Sequence, residues 1–230
     1  MLVIPKRDRI AERREATRTE ILDAAWELAQ EKGLAEFTLR DLAERVGMRA
    51  PSLYTHFESK NAIYDAMFGQ AWSDYERVAL AELTDKAAML ELPESHRAAV
   101  RRMARVFFDF TVANPARHQL MNQRTIPGFV PSADSYAPAV RVFELGQQIF
   151  RKLGLTDPSA FDIFTAIVAG LINQQLANDP GGRRWSALLD RTIEMWADGV
   201  GLSHDPPTQS RRATQQPGPR RRTRAARSTS

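Results

Sequence analysis

Apolar side chains recur at spacings of three and four almost throughout the chain, and no convincing alternating run marks a strand. That is the period of amphipathic helices. Ile21, Ala24, Ala25, Leu28 and Ala29 share one face of a first helix, which Gly33 stops. A second, short helix starts at Thr38 with Asp41 three residues on, a capping box with Asp in the place of Glu. Its inner face is Leu39, Leu42, Ala43 and Val46, and Gly47 ends it. A third begins near Pro51, a good first-turn residue, with Leu53 and Phe57 inside. Ser59 then caps a long helix carrying Ile63, Met67, Ala71, Tyr75 and Val78.

The same period continues. Pro93 precedes a helix with Val100, Met103, Phe107 and Phe110, and Asn114-Pro115 opens a short one through about Gln123. Residues 125–138 hold Pro127, Gly128, Pro131 and Pro138 and read as irregular chain. A helix with Val140, Phe143, Gln147 and Phe150 ends at Gly154. Asp157-Pro158 opens a nearly uncharged helix to about Asn178, and a Gly-rich turn leads to a last helix over 184–200. The expectation is an all-α fold of about nine helices: three short ones, then a longer helical bundle.

Charge divides the chain. The net charge is +4, but residues 1–60 hold 11 basic and 11 acidic side chains, 61–205 hold 14 and 17, and 206–230 hold seven Arg and no acid. The body is mildly acidic, so no whole-protein argument for nucleic acid follows from the basic pI. The tail from Pro206, rich in Arg, Pro, Ser, Thr and Gln, reads as disordered. With no cysteine, a disulfide scaffold, thiolate zinc site or thiol nucleophile is excluded. No run of about 18 apolar residues suggests a membrane span, and the N-terminus lacks the apolar core of a signal peptide. A cytoplasmic protein is expected.

Residues 38–57, TLRDLAERVGMRAPSLYTHF, carry the chemistry. Two short helices joined by a Gly-containing turn make a helix-turn-helix. Leu42, Ala43, Val46, Leu53 and Phe57 fill the angle between them, which leaves Arg40, Arg49, Pro51, Ser52, Tyr54, Thr55 and His56 outside. A major groove about 12 Å wide admits one such helix. An ordinary helical hairpin has the same spacing.

Residues 15–75 resemble the N-terminal domain of the tetracycline-repressor family. The resemblance rests on Ile21, Ala24, Ala25, Leu28, Gly33, Phe37, Thr38, Leu42, Ala43, Val46, Gly47, Ser52, Leu53, Tyr54, His56, Phe57, Ser59 and Lys60, and most of all on the string LYTHFESK. It implies a homodimer that binds palindromic double-stranded DNA and a second domain for a small-molecule effector. It places Arg49, Ala50, Pro51, Ser52, Tyr54, Thr55 and His56 in the major groove, with Arg40 and Lys60 also at the DNA. Lys60 additionally stands at a helix start, where free N–H groups favour an anion. Ala50, Leu39 and Asn61 depart from common family choices, which bears on the operator sequence rather than on binding.

The organisation expected is an arm (1–14), the DNA-binding domain (15–75), an effector and dimerisation domain (76–205) and the tail (206–230). For an effector pocket the candidates are Met67, Ala71, Trp72, Met103, Phe107, Phe110, Met121, Phe143, Gln147 and Asn173; plain core packing is the alternative for each. For a dimer interface they are Ala166, Gly170, Gln174, Leu189, Ile193 and Trp196, on two helices that would form a four-helix bundle with their symmetry mates. Residues 125–138 are the expected portal. The four His have no metal spacing, and no phosphate loop or nucleophile motif occurs, so neither metal, cofactor nor enzyme activity is expected. The reading is a repressor released by an apolar effector; a nucleoid-type DNA binder and a helical ligand carrier or enzyme are the alternatives.

Overall fold

The structure, a computed structural model, describes residues 9–84 and 95–203. Residues 1–8 of the expected arm and the Arg-rich tail lie outside them. Nine α-helices occur among the described residues: α1 (Arg9–Lys32), α2 (Leu39–Arg45), α3 (Ala50–Leu53), α4 (Lys60–Thr84), α5 (His96–Val112), α6 (Pro115–Asn122), α7 (Ala133–Lys152), α8 (Pro158–Asn178) and α9 (Leu189–Gly199). No strand occurs there. The all-α expectation holds, with a helix-turn-helix head and a helical bundle behind it.

The helices start where short polar side chains take up free N–H groups. Ser95, Asn114, Ser132 and Asp157 cap α5, α6, α7 and α8 through the N–H of Ala98, Arg117, Ser135 and Ser159. The core runs through both parts: Ile21, Phe37 and Leu42 in the head join Phe108, Phe150 and Ile172 in the bundle through the buried face of α4. α4 packs most extensively on α7, α5 packs on α8 and α9, and α6 touches α1, α4 and α5.

Several boundaries differ from the expectation. α1 begins at Arg9, so 9–14 is helix rather than arm. α7 begins at Ala133 and runs through Pro138. Its start is held from outside: the Asp65 carboxylate on α4 accepts from Ser132 N at 2.7 Å and from the hydroxyls of Ser132 and Ser135 at 2.8 Å. That anchorage accommodates a proline near the helix start, where it removes one backbone bond. The last helix is split, with a 3-10 turn at Ser186–Leu188 ahead of α9. α8 is, by length and composition alone, apolar enough to cross a membrane. Here it packs in the bundle with Phe161, Phe164, Val168 and Ile172 buried.

Two buried polar residues organise the far end. The Gln175 amide donates to the carbonyls of Asp179 and Gly182 and accepts from Trp185 N at 3.1 Å and Ser186 N at 3.0 Å. Arg97, only 3% exposed, pairs with Glu194 at 2.8 Å and Asp198 at 2.7 Å. It also donates to the carbonyls of Leu202 and Ser203 at 2.6 and 3.1 Å. Neither role shows in a hydrophobic pattern.

Candidate nucleic-acid interface and adjoining cavity

The head is built locally. Thr38 and Asp41 form the capping box: Thr38 N donates to Asp41 Oδ2 at 2.8 Å and Asp41 N to Thr38 Oγ1 at 3.1 Å. Lys32 from α1 bonds the same carboxylate at 2.9 Å. Lys32 first and Thr38 next hold the Asp41 carboxyl at about 2, below its ordinary 3.8. A depressed carboxyl stabilises the fold above its ordinary value and stops doing so as pH falls through the folded one. The start of α2 is therefore expected to loosen between pH 4 and 2, as read by amide exchange at Asp41 and Leu42. In Asp41→Asn the protection of those amides, taken relative to the intrinsic exchange rate at each pH, should no longer change in this window, and a change like the parent's would refute the box. Gly47, at φ +65°, lets Met48 N reach back to Ala43 O at 2.8 Å. That left-handed cap turns the chain towards α3.

The basic residues of the head fall into two groups. Lys32 is tied to Asp41, and Arg45 to Glu27 and Glu31 of α1 at 3.1 and 2.6 Å. Arg40 and Arg49 are exposed, and their side chains make no ion pair or hydrogen bond among the described residues. A domain of balanced charge thus has two unneutralised guanidinium groups on the helix-turn-helix. Tyr54 is 53% exposed on the same motif, and Pro51 and Ser52 are exposed beside it.

Other expected contacts are already engaged. Thr55 Oγ1 donates to Ser52 O at 2.7 Å. Ala50 and His56 are half-buried, and the His56 Nδ1 is buried without a partner. Lys60 Nζ donates to Ala35 O at 2.9 Å and sits 4.6 Å over the Phe37 ring, where burial lowers its pKa. Two residues the sequence reading missed, Arg14 and Arg18 of α1, donate to the carbonyls of Thr55 and His56, with Arg18 also 4.1 Å over Phe57. They prop the turn after α3. No periodicity distinguishes them from other solvated charges on α1.

Behind the head, α4, α5, α7 and α8 enclose a cavity of about 290 Å³. Of the candidate pocket residues, Trp72, Met103, Phe107 and Phe143 line it. The other candidates do not. Met67 and Ala71 are buried in the core nearer the head, and Met121 is also buried. Phe110 packs on Tyr75 beneath the Arg117 guanidinium. Gln147 is exposed. Asn173 accepts from His118 Nε2 and Gln123 at 2.9 Å, tying α8 to the end of α6. The cavity sits further along α4, at Trp72, Tyr75, Ala79 and Leu83, and is completed by Gly146, Phe161, Phe164 and Val168. A Cβ at Gly146 would stand 2.6 Å from the Phe161 ring, so only glycine permits this approach of α7 to α8. No residue of 125–138 lines it; the exposed lining residues Phe143, Ala166 and Asn122 mark its mouth instead.

The expected dimer residues also divide. Leu189, Ile193 and Trp196 are buried within their own protomer, Trp196 against Phe150 and Phe164 at 5.5 and 5.3 Å. The strongest apolar stripe of α9 therefore serves the core. Ala166, Gly170 and Gln174 are exposed along α8, next to Ile163, Leu188 and Met195 at 50%, 39% and 65% exposure.

Residues 21–67 match the family described as bacterial regulatory proteins, tetR family. The transcriptional repressor KstR2 of Rhodococcus jostii is 36% identical over 76 residues, 31% of this chain and 37% of that protein. The chain thus spans little more than a third of the length of that relative. In fold it is similar to SCO4313, with a TM-score of 0.66 at 16% identity over 85% of this chain and all of the other. A TetR family transcription regulator from Marinobacter aquaeolei gives 0.59 at 15% over 82% and 97%. Identities this low show a shared fold alone. Residues 21–67 thus carry the match to the tetR family of bacterial regulatory proteins, and the described residues share the helical fold of these structures.

Proposed function

We propose that the protein is a cytoplasmic, dimeric, sequence-specific regulator of transcription, a repressor that a small apolar effector releases from a palindromic operator. The observation that carries this reading is the pair of unneutralised guanidinium groups, Arg40 and Arg49, beside exposed Tyr54 on a helix-turn-helix. Phosphate contacts position such a head and base contacts give it sequence. The family is one of regulatory proteins rather than enzymes.

The second copy sits on the exposed face of α8 and α9. Ile163, Leu188 and Met195 supply apolar area, and Ala166 and Gly170 permit close approach. A twofold axis there makes the interface isologous and sets two reading heads about 34 Å apart, one turn of DNA. Selection from a random DNA pool should then return an inverted repeat with half-sites about one turn apart. No enriched sequence, or uniform protection of all DNA, would overturn the reading in favour of a non-specific binder. In Gly170→Arg a side chain meets nothing within 4 Å of its Cβ inside the protomer, so the fold survives while the charge falls on the interface. A monomer mass and loss of the inverted-repeat preference are expected; a dimer mass for this variant would remove the interface from α8.

A further inference from the structure

The cavity has a chemistry that narrows what enters it. Among the described residues, its polar lining is Trp72, Tyr75, Asn122 and Thr165, and none of the described lining residues is charged. The buried Trp72 indole N–H has no partner. Tyr75, 5% exposed, makes only aromatic contacts among the described residues. An indole N–H is a donor only, and a phenol hydroxyl can donate to an acceptor on a ligand. Burial also drives the Tyr75 phenol strongly towards its neutral form. The walls are aromatic: Trp72 lies stacked with Phe107, and Phe143 meets Phe161 edge-on at 6.0 Å. An apolar cavity of about 150 Å³ holds one benzene, so this one, at about 290 Å³, has room for about two rings.

We infer that the cavity takes an uncharged, flat, two-ring-sized molecule carrying one hydrogen-bond acceptor, which the Tyr75 hydroxyl meets. The flat faces stack on the ring walls. A carboxylate or ammonium of the same shape is rejected, because it would lose its hydration with no counter-charge in the lining. A hydrocarbon of the same shape enters but leaves the phenol unpaired. The inference deepens the regulator reading and rests on it for the purpose of the cavity, not for its chemistry.

Three probes of matched shape separate these terms: 1-acetonaphthone, naphthalene and 1-naphthoate, each titrated calorimetrically into the full chain without DNA. The ketone should bind, naphthalene should bind about 3- to 10-fold more weakly, and naphthoate at least about 100-fold more weakly. In Tyr75→Phe the ketone and the hydrocarbon should bind equally. Naphthalene binding to that variant reports an intact cavity, and Ala169→Trp, at a lining position, should abolish binding of both. Naphthoate binding within tenfold of the ketone, or no binding of the ketone, would overturn the ligand class. A persisting gap between ketone and hydrocarbon in Tyr75→Phe would overturn the role of the phenol. Since no DNA is present, failure of the operator selection leaves these results untouched, and failure here leaves the operator selection untouched.

Discussion

Alanine at both Arg40 and Arg49 is expected to weaken binding to the selected operator by about thirtyfold or more, taking about 1–3 kcal/mol for each well-placed guanidinium. Both groups are exposed and unpaired among the described residues, so their removal leaves no described carboxylate without its partner and the fold should keep its unfolding temperature. The form of the loss separates two roles. A phosphate contact lowers affinity for every sequence and flattens the salt dependence by about one per residue. A base contact relaxes preference at one position of each half-site. Arg45→Ala is the internal comparison, because Arg45 already answers Glu27 and Glu31, and its loss should change affinity far less. A double variant that binds within threefold of the parent would show that the DNA does not meet this face.

The largest effect on stability is expected at Gln175. Its amide satisfies two carbonyls and two N–H groups in the turn between α8 and α9. Gln175→Leu fills similar space but leaves those groups without their partner, at a cost of about 3 kcal/mol. For a chain of this size that lowers the unfolding temperature by roughly 6–12 °C. Gln175→Glu keeps the acceptor towards Trp185 and Ser186 and loses the donors, so its temperature should fall between the two. A fall of less than about 2 °C for the leucine variant would mean that the turn closes without the amide.

The head was legible because its signals are local. Thr38 and Asp41 are three residues apart and bond each other, and Gly47 adopts the positive φ that a helix stop requires. The bundle was legible as helices but not as a set of facing surfaces. α8 is apolar on nearly all sides, so its sequence carries no phase to say which side meets its own chain. On α9 the pattern marks Leu189, Ile193 and Trp196 as one apolar stripe, and the same stripe would suit a partner or a core; the structure assigns it to the core. The cavity was displaced along α4 for a similar reason. Met67, Ala71 and Tyr75 share a face, and only the position of α7 and α8 decides which of them meets open space. Pro138 read as a helix breaker because the anchor of that helix, Asp65, is 67 residues away from Ser132.

The Asp65 anchorage also fixes how movement at one end reaches the other. α4 has 25 residues, which makes it a rod about 37 Å long. Lys60 starts that rod in the reading head, and Leu83 near its far end lines the cavity. Asp65 clamps the start of α7 one to two turns from the head. The two helices are therefore a lever with its short arm at the DNA and its long arm at the cavity. Turning the rod by about 3° about Asp65 moves its far end by about 1.5 Å and its start by about 0.4 Å. Movement at the cavity end therefore reaches the head reduced to about a quarter, and the clamp makes α4 a gear that scales motion down.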